Sequence, residues 1–123
     1  MKVQYSVDYH TKDQHPGSVK KPPKPLTVVI LTGGTALQVM ENAANKHGSP
    51  YEFTAKYDGG SLHGFFICTI NGIPSNTPSS DYYWEFLIQF PDGTVKPSSV
   101  GVSTYSFNAD GYGMIMRFIK TTQ

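Results

Sequence analysis

One segment of this chain carries a clear helical pattern, and it determines how the rest can fold. Thr35 is a good N-cap, and Gln38 three residues later completes a capping-box pattern. Gly48 can take the left-handed C′ position, and Pro50 then prevents the helix from continuing. We therefore predict a single α-helix over about residues 35–47. The apolar stripe that should cover a sheet consists of Leu37, Met40, Ala43 and Ala44.

The other apolar runs have the pattern of short strands. In residues 3–9, valine and tyrosine alternate with polar residues, as in a half-buried strand. Turn residues such as Asn71-Gly72 separate the later runs. Further strands are predicted over residues 26–31, 51–57, 65–70, 82–90 and 113–119, with shorter apolar segments at 94–96 and 100–105. The order β-β-α-β-β-β-β, with mostly hairpin-like connections, predicts an α+β fold.

Length and charge fit a small globular domain. The 123 residues are enough for one domain, which we place over residues 1–123. A net charge of +1 and a charged fraction of 15% argue against electrostatically driven nucleic-acid binding and against intrinsic disorder. Residues 10–25 are polar and rich in proline and lysine, so a solvated loop is predicted there.

Membrane and redox signals are weak in this sequence. No stretch approaches the roughly 20 apolar residues of a membrane span. Residues 1–8 alternate in polarity and do not form the apolar centre of a signal peptide. With Cys68 as the one cysteine, neither an intramolecular disulfide nor a zinc site of several cysteines can form.

Enzyme signatures are also missing. The sequence contains no GxSxG, Walker, HExxH or GxGxxG motif. Residues 33–35, at the start of the helix, could hold an anion, but an ordinary turn and cap explains them better without a P-loop lysine. The histidines are scattered, and the aspartates lie beside turn residues, where carboxylates commonly cap the backbone. We therefore predict a protein without catalytic residues and without a metal site.

The most informative segment is an aromatic strand. Tyr82, Trp84, Phe86 and Ile88 should share one face of the strand, while the other face carries Tyr83, Glu85, Leu87 and Gln89. One face must lie in the core. The other suits contact with a large amphipathic ligand or with a protein partner.

Five short motifs occur in the same order as in a known family. They are GTALQVMENAA at residues 34–44, YEFT at 51–54, TINGI at 69–73, YWEFL at 83–87 and GVSTY at 101–105. In this respect the chain resembles the C-terminal β-domain of the cobalamin carriers intrinsic factor, transcobalamin and haptocorrin. The resemblance covers residues 3–118 and implies a β-grasp-like unit of mostly antiparallel sheets with one helix.

The resemblance also implies a ligand and a place for it. In the family, the aromatic strand and the segment equivalent to 101–105 face cobalamin, a flat corrinoid that these carriers transport. Glu85 stands where the family has glutamine, and Thr104 stands where it has aspartate. By position, the implied ligand-binding residues are Tyr83, Trp84, Phe86, Leu87, Val102, Ser103 and Tyr105.

Two functions follow as hypotheses. The first is a small-molecule-binding domain that takes cobalamin or a similar tetrapyrrole-like ligand. Its binding should be weak, because the carriers enclose cobalamin between this domain and a large helical domain that this chain lacks. A second copy or a helical partner domain would then complete the site, in an extracellular setting implied by the resemblance. The alternative is a protein-interaction or assembly module of a secreted or surface protein, which uses a sheet edge or the 88–100 hairpin.

Overall fold

A five-stranded mixed sheet forms the base of the structure. The computed structural model describes residues 1–9, 24–57, 65–74 and 82–120. The elements are β1 (Lys2–Tyr9), β2 (Leu26–Val29), α1 (Ala36–His47), β3 (Phe53–Tyr57), β4 (Phe65–Ile70), β5 (Ile73–Pro74), β6 (Tyr82–Gln89), β7 (Val95–Pro97) and β8 (Gly113–Lys120). The large sheet has the order β2-β1-β8-β6-β7, and β3-β4-β5 form a smaller sheet. The predicted α+β class is confirmed.

The strand order brings the first and last strands together at the centre of the large sheet. β1 pairs with β8 in parallel, with Tyr5 opposite Met114 and Val7 opposite Met116. All other strand pairs are antiparallel, including the eight-residue register between β6 and β8. Because hairpin-like connections predict only neighbouring antiparallel strands, the parallel pair was not expected from the sequence.

The core lies on one face of the large sheet. Alternation along β1 buries Val3, Tyr5 and Val7, as the period-two pattern predicts. Helix α1 packs over β2 and β1, and β4 of the small sheet contacts β6. The largest fully buried side chains are Tyr5, Phe107, Phe118, Met40, Ile70, Met114 and Met116.

The helix begins where its capping box predicts. The Thr35 hydroxyl accepts from the Gln38 backbone N–H at 3.3 Å, and the Gln38 side-chain oxygen accepts from the Thr35 backbone N–H at 2.8 Å. Gly48 ends the helix with φ 64°, but its ψ of −149° differs from the left-handed helical conformation that was predicted. The buried stripe is also rotated from the predicted one, because the side chains that face the core are Ala36, Val39, Met40 and Ala43.

The remaining predicted segments are residues 100–105 and residues 10–25. Residues 100–105 form turns, not a strand, because the N–H groups of Thr104 and Tyr105 both donate to the Gly101 carbonyl. The predicted loop at 10–25 lies outside the described residues except for Lys24 and Pro25.

One polar atom in the core has no hydrogen-bond partner among the described residues. The Tyr5 side chain is fully buried, and its hydroxyl is unpaired. Burial, together with the nearby Tyr51, raises the pKa of Tyr5 above its ordinary value of 10.0. Tyr51 packs against it with ring centroids 6.4 Å apart, and the Tyr51 hydroxyl donates to the Lys24 carbonyl. A buried, unpaired hydroxyl costs about 1–3 kcal/mol.

We therefore expect Tyr5→Phe to raise the free energy of unfolding by about 1 kcal/mol, measured by urea denaturation. Tyr51→Phe is the matched control and should destabilise, because it removes a made hydrogen bond. Above pH 10 the unfolded state releases the Tyr5 proton while the folded state retains it, so stability falls as pH rises. Tyr5→Phe should reduce this alkaline loss. A lower stability of Tyr5→Phe at pH 7 would contradict the prediction.

Candidate ligand-binding site

An open cleft lies between strand β4 and the part of β6 that precedes its pairing with β7. Its volume is ≈ 330 Å³. Aromatic side chains dominate its walls, and Pro97 at the end of β7 contributes together with Ser98 and Val102 from the segment that follows it. We call it the aromatic cleft; its aromatic residues are Phe65, Phe66, Tyr83, Trp84 and Phe86.

The register of β6 explains why these side chains meet there. β6 pairs with β8 along its whole length, but β7 pairs with it only at Leu87, Ile88 and Gln89. The half of β6 that carries Tyr83 and Trp84 therefore borders the cleft. The chain leaves β7 with a hydrogen bond from the Ser98 N–H to the Phe86 carbonyl, at 3.0 Å, which fixes the far wall.

Trp84 is the floor of the cleft and also joins the two sheets. Its indole Nε1–H donates to the Ile73 carbonyl of the small sheet at 2.9 Å. Its ring packs against Phe118 of β8 with centroids 5.0 Å apart, and only 7% of the residue is exposed. The buried donor is thus satisfied, and the ring offers one edge to a ligand.

The predicted ligand-binding residues do not form one continuous surface. Four of them, Tyr83, Trp84, Phe86 and Val102, line the aromatic cleft. Leu87 does not line it, because the residue is 4% exposed and lies in the part of β6 that pairs with β7, opposite Pro97.

The last two predicted residues lie in the turn segment after Val102. Tyr105 is half-buried and packs edge-on against Phe86, with ring centroids 5.9 Å apart, and against Phe107. Burial, followed by the neighbouring Tyr112, raises the pKa of Tyr105. Tyr105 thus supports the cleft wall from behind, while Ser103 is half-buried and does not line the cleft.

The wall of the cleft that β4 forms was not predicted from the sequence. Phe65 and Phe66 come from β4, and Phe66 is 41% exposed. The available signal was the adjacent pair of phenylalanines in the 65–70 run, since neighbouring residues of a strand face opposite sides. One of them therefore had to leave the core.

The cleft carries a single negative charge among the described residues that line it. Glu85 is that residue, and it forms no ion pair with any described residue. Its cross-strand neighbour Arg117 is directed instead toward β1, with Nε 3.3 Å from Asp8 Oδ2, although this contact lacks the alignment of a hydrogen bond. Burial, and secondly the Glu85 charge, raises the pKa of Tyr83. A ligand here meets aromatic carbon and one carboxylate.

Neither a metal-ligating cluster nor a helix that could span a membrane occurs in the described part of the chain. No group of three or more histidine, cysteine, aspartate or glutamate residues there is arranged to hold a metal ion. No described helix is long and apolar enough to cross a membrane.

The fold and cleft define a class: a small α+β domain, with one helix and an aromatic groove where its two sheets meet. Among solved structures, haptocorrin in complex with Cbi (cobinamide) matches this chain with a TM-score of 0.73 and 25% sequence identity. The match covers 99% of this chain and 25% of the haptocorrin chain. No protein-family model and no curated protein sequence matches.

The match confirms the resemblance to the β-domain of the cobalamin carriers, which the five motifs predicted. The chain has a cobalamin-carrier-like fold and spans about a quarter of the length of haptocorrin.

Proposed function

We propose that this chain is a non-catalytic domain that binds a corrinoid, cobalamin or a similar tetrapyrrole-like ligand, in the aromatic cleft. The observation that carries the proposal is the aromatic wall, in which Phe66 is 41% exposed and lines the same cleft as Trp84, in a fold that matches haptocorrin bound to cobinamide. Flat ring systems bind well against such walls, because they bury apolar area and make edge and face contacts.

The size of the cleft limits how the ligand fits. A volume of ≈ 330 Å³ is at the lower end of small-molecule sites, so it accommodates the edge of a macrocycle and leaves the rest outside. One-sided burial gives less binding energy to offset the cost of association. We therefore expect affinity in roughly the micromolar range, and tighter binding when a helical partner domain or a second copy covers the exposed side.

The proposal extends to the setting in which the domain works. The resemblance to the carriers supports an extracellular location and a role in transport. Neither the composition nor the described fold conflicts with it: the charge is near neutral, and the single cysteine, Cys68, is half-buried.

A titration with cobinamide tests the proposal directly. The chain has one tryptophan, and it lies at the cleft, so a bound corrinoid that absorbs in the range of tryptophan emission should quench its fluorescence. Phe66→Ala removes exposed aromatic area from the wall and should weaken binding by about fivefold to tenfold.

Leu31→Ala is the matched control, since Leu31 is 86% exposed and does not line the cleft. It should leave the affinity unchanged. The absence of quenching and of any change in the corrin absorption band at about 100 μM cobinamide would refute corrinoid binding by this domain alone.

A further inference from the structure

The outer edge of β2 has main-chain groups with no partner among the described residues. The main chains of Ile30 and Met1 exchange two hydrogen bonds. Because this pattern repeats at every second residue of an antiparallel pair, the N–H and carbonyl groups of Val28 and Leu26 also point toward β1. The N–H and carbonyl groups of Thr27 and Val29 point outward. The Val29 carbonyl accepts from the Asn42 side chain at 3.2 Å. The N–H and carbonyl of Thr27 and the N–H of Val29 remain available. An edge of this kind is a template for another strand.

A groove runs beside this edge. It lies between β2 and α1, with a volume of ≈ 350 Å³, and is bordered by Thr27, Val29 and the last two turns of the helix. Among the described residues, those on it that are charged or ionisable are Lys46 and His47, and none of its described lining residues is acidic. Val29 is 64% exposed. The groove thus combines free main-chain groups, an apolar side chain and a basic end.

We propose that the β2 edge binds an extended, acidic segment of another protein as an additional strand. Thr27 would exchange two main-chain hydrogen bonds with it, an apolar side chain would contact Val29, and a carboxylate would meet Lys46 and His47. Main-chain bonding supplies affinity in this mode, and the flanking side chains supply specificity. This proposal is independent of corrinoid binding, because β2 and the aromatic cleft share no lining residue.

The charge of the groove favours such a partner over a second copy of this chain. Two β2 edges paired with each other would bring Lys46 and His47 of both copies to one interface, where like charges oppose association. β2 is also only four residues long, so symmetric pairing would form few hydrogen bonds. An acidic strand is limited by the same four residues, but it replaces the repulsion by attraction to Lys46.

The test uses the full chain and two synthetic hexapeptides, followed by amide chemical shifts in ¹⁵N–¹H NMR spectra. Both peptides alternate threonine and valine over four residues; one ends in two glutamates and the other in two lysines. The glutamate peptide should shift the amides of Thr27, Val29 and Lys46 at submillimolar concentration. The lysine peptide should bind at least fivefold more weakly.

Two variants separate main-chain bonding from packing. Thr27→Pro removes the outward N–H at an edge position that tolerates proline, and it should weaken glutamate-peptide binding at least tenfold. Thr27→Ala keeps the main-chain N–H but, like Thr27→Pro, loses the threonine hydroxyl, which accepts a hydrogen bond from the Gln4 side chain at 2.8 Å. It should therefore bind the glutamate peptide like the natural chain. If Thr27→Pro does not fold, Lys46→Glu provides the second test and should reverse the preference between the peptides.

Several results would overturn the proposal. They are an absence of shifts at millimolar glutamate peptide, equal binding of the two peptides, and unchanged binding by a folded Thr27→Pro. Concentration-dependent shifts at the β2 amides without peptide would show that a second copy, not an acidic partner, occupies the edge.

Discussion

Replacing Trp84 by alanine should lower the free energy of unfolding by about 3–5 kcal/mol, a large part of the stability of a domain of this size. The substitution empties a buried volume against Phe118 and leaves the Ile73 carbonyl without its indole donor. It therefore affects both the core and the junction between the sheets. Urea denaturation followed by far-UV circular dichroism measures the effect, since the variant has no tryptophan fluorescence.

Tyr83→Ala is the control for this prediction. Tyr83 immediately precedes Trp84 in β6 and lines the same cleft, but it is only half-buried and lies on the opposite face of the strand. It should cost about 1 kcal/mol or less in stability while it weakens corrinoid binding. Equal stability losses in the two variants would show that Trp84 is not the structural centre that its contacts indicate.

Glu85→Gln should raise the affinity for cobalamin relative to cobinamide by about fivefold. Cobalamin carries a nucleotide phosphate that cobinamide lacks, and Glu85 is the acidic residue among the described residues of the cleft. Removing one exposed charge–charge repulsion at close range is worth about 1 kcal/mol. Glu85→Lys turns the repulsion into attraction and should change the ratio by about 25-fold.

The ratio of two affinities distinguishes this effect from a general change in the site. Both ligands are titrated against each variant, and the ratio is measured again at high salt, where the difference should shrink. If the natural chain binds neither ligand, the proposed function itself fails. Binding of both with the same ratio in all three proteins would show only that Glu85 does not face the nucleotide.

The helix and the strand faces could be predicted from the sequence because local chemistry determines them. The capping box of Thr35 and Gln38 sets the helix start, and alternation in β1 and β6 identifies the buried faces. The predicted helix stripe was rotated, because it included Leu37 and Ala44 where the structure buries Ala36 and Val39. The sheet buries Val39 and the small Ala36, which allow α1 to approach closely.

The cleft could be predicted only in part, because it depends on contacts between distant segments. Tyr83, Trp84 and Phe86 were identified from one aromatic run, but Phe66 comes from β4, which reaches the cleft only through packing of the small sheet on the large one. Leu87 was included because the family motif is continuous in sequence. In the structure β7 pairs with β6 at Leu87, beyond the end of the cleft, and the residue is 4% exposed.

The pairing of β1 with β8 has a consequence for how the chain acquires its structure. Residues 4–9 and 113–118 are hydrogen-bonded neighbours at the centre of the sheet, although more than a hundred positions separate them along the polypeptide. During synthesis β1 emerges long before β8, so the central contact must wait until almost the whole segment has been made. Closing so long a loop favours slow folding, and exposed β1 depends meanwhile on its hairpin with β2 for protection from aggregation.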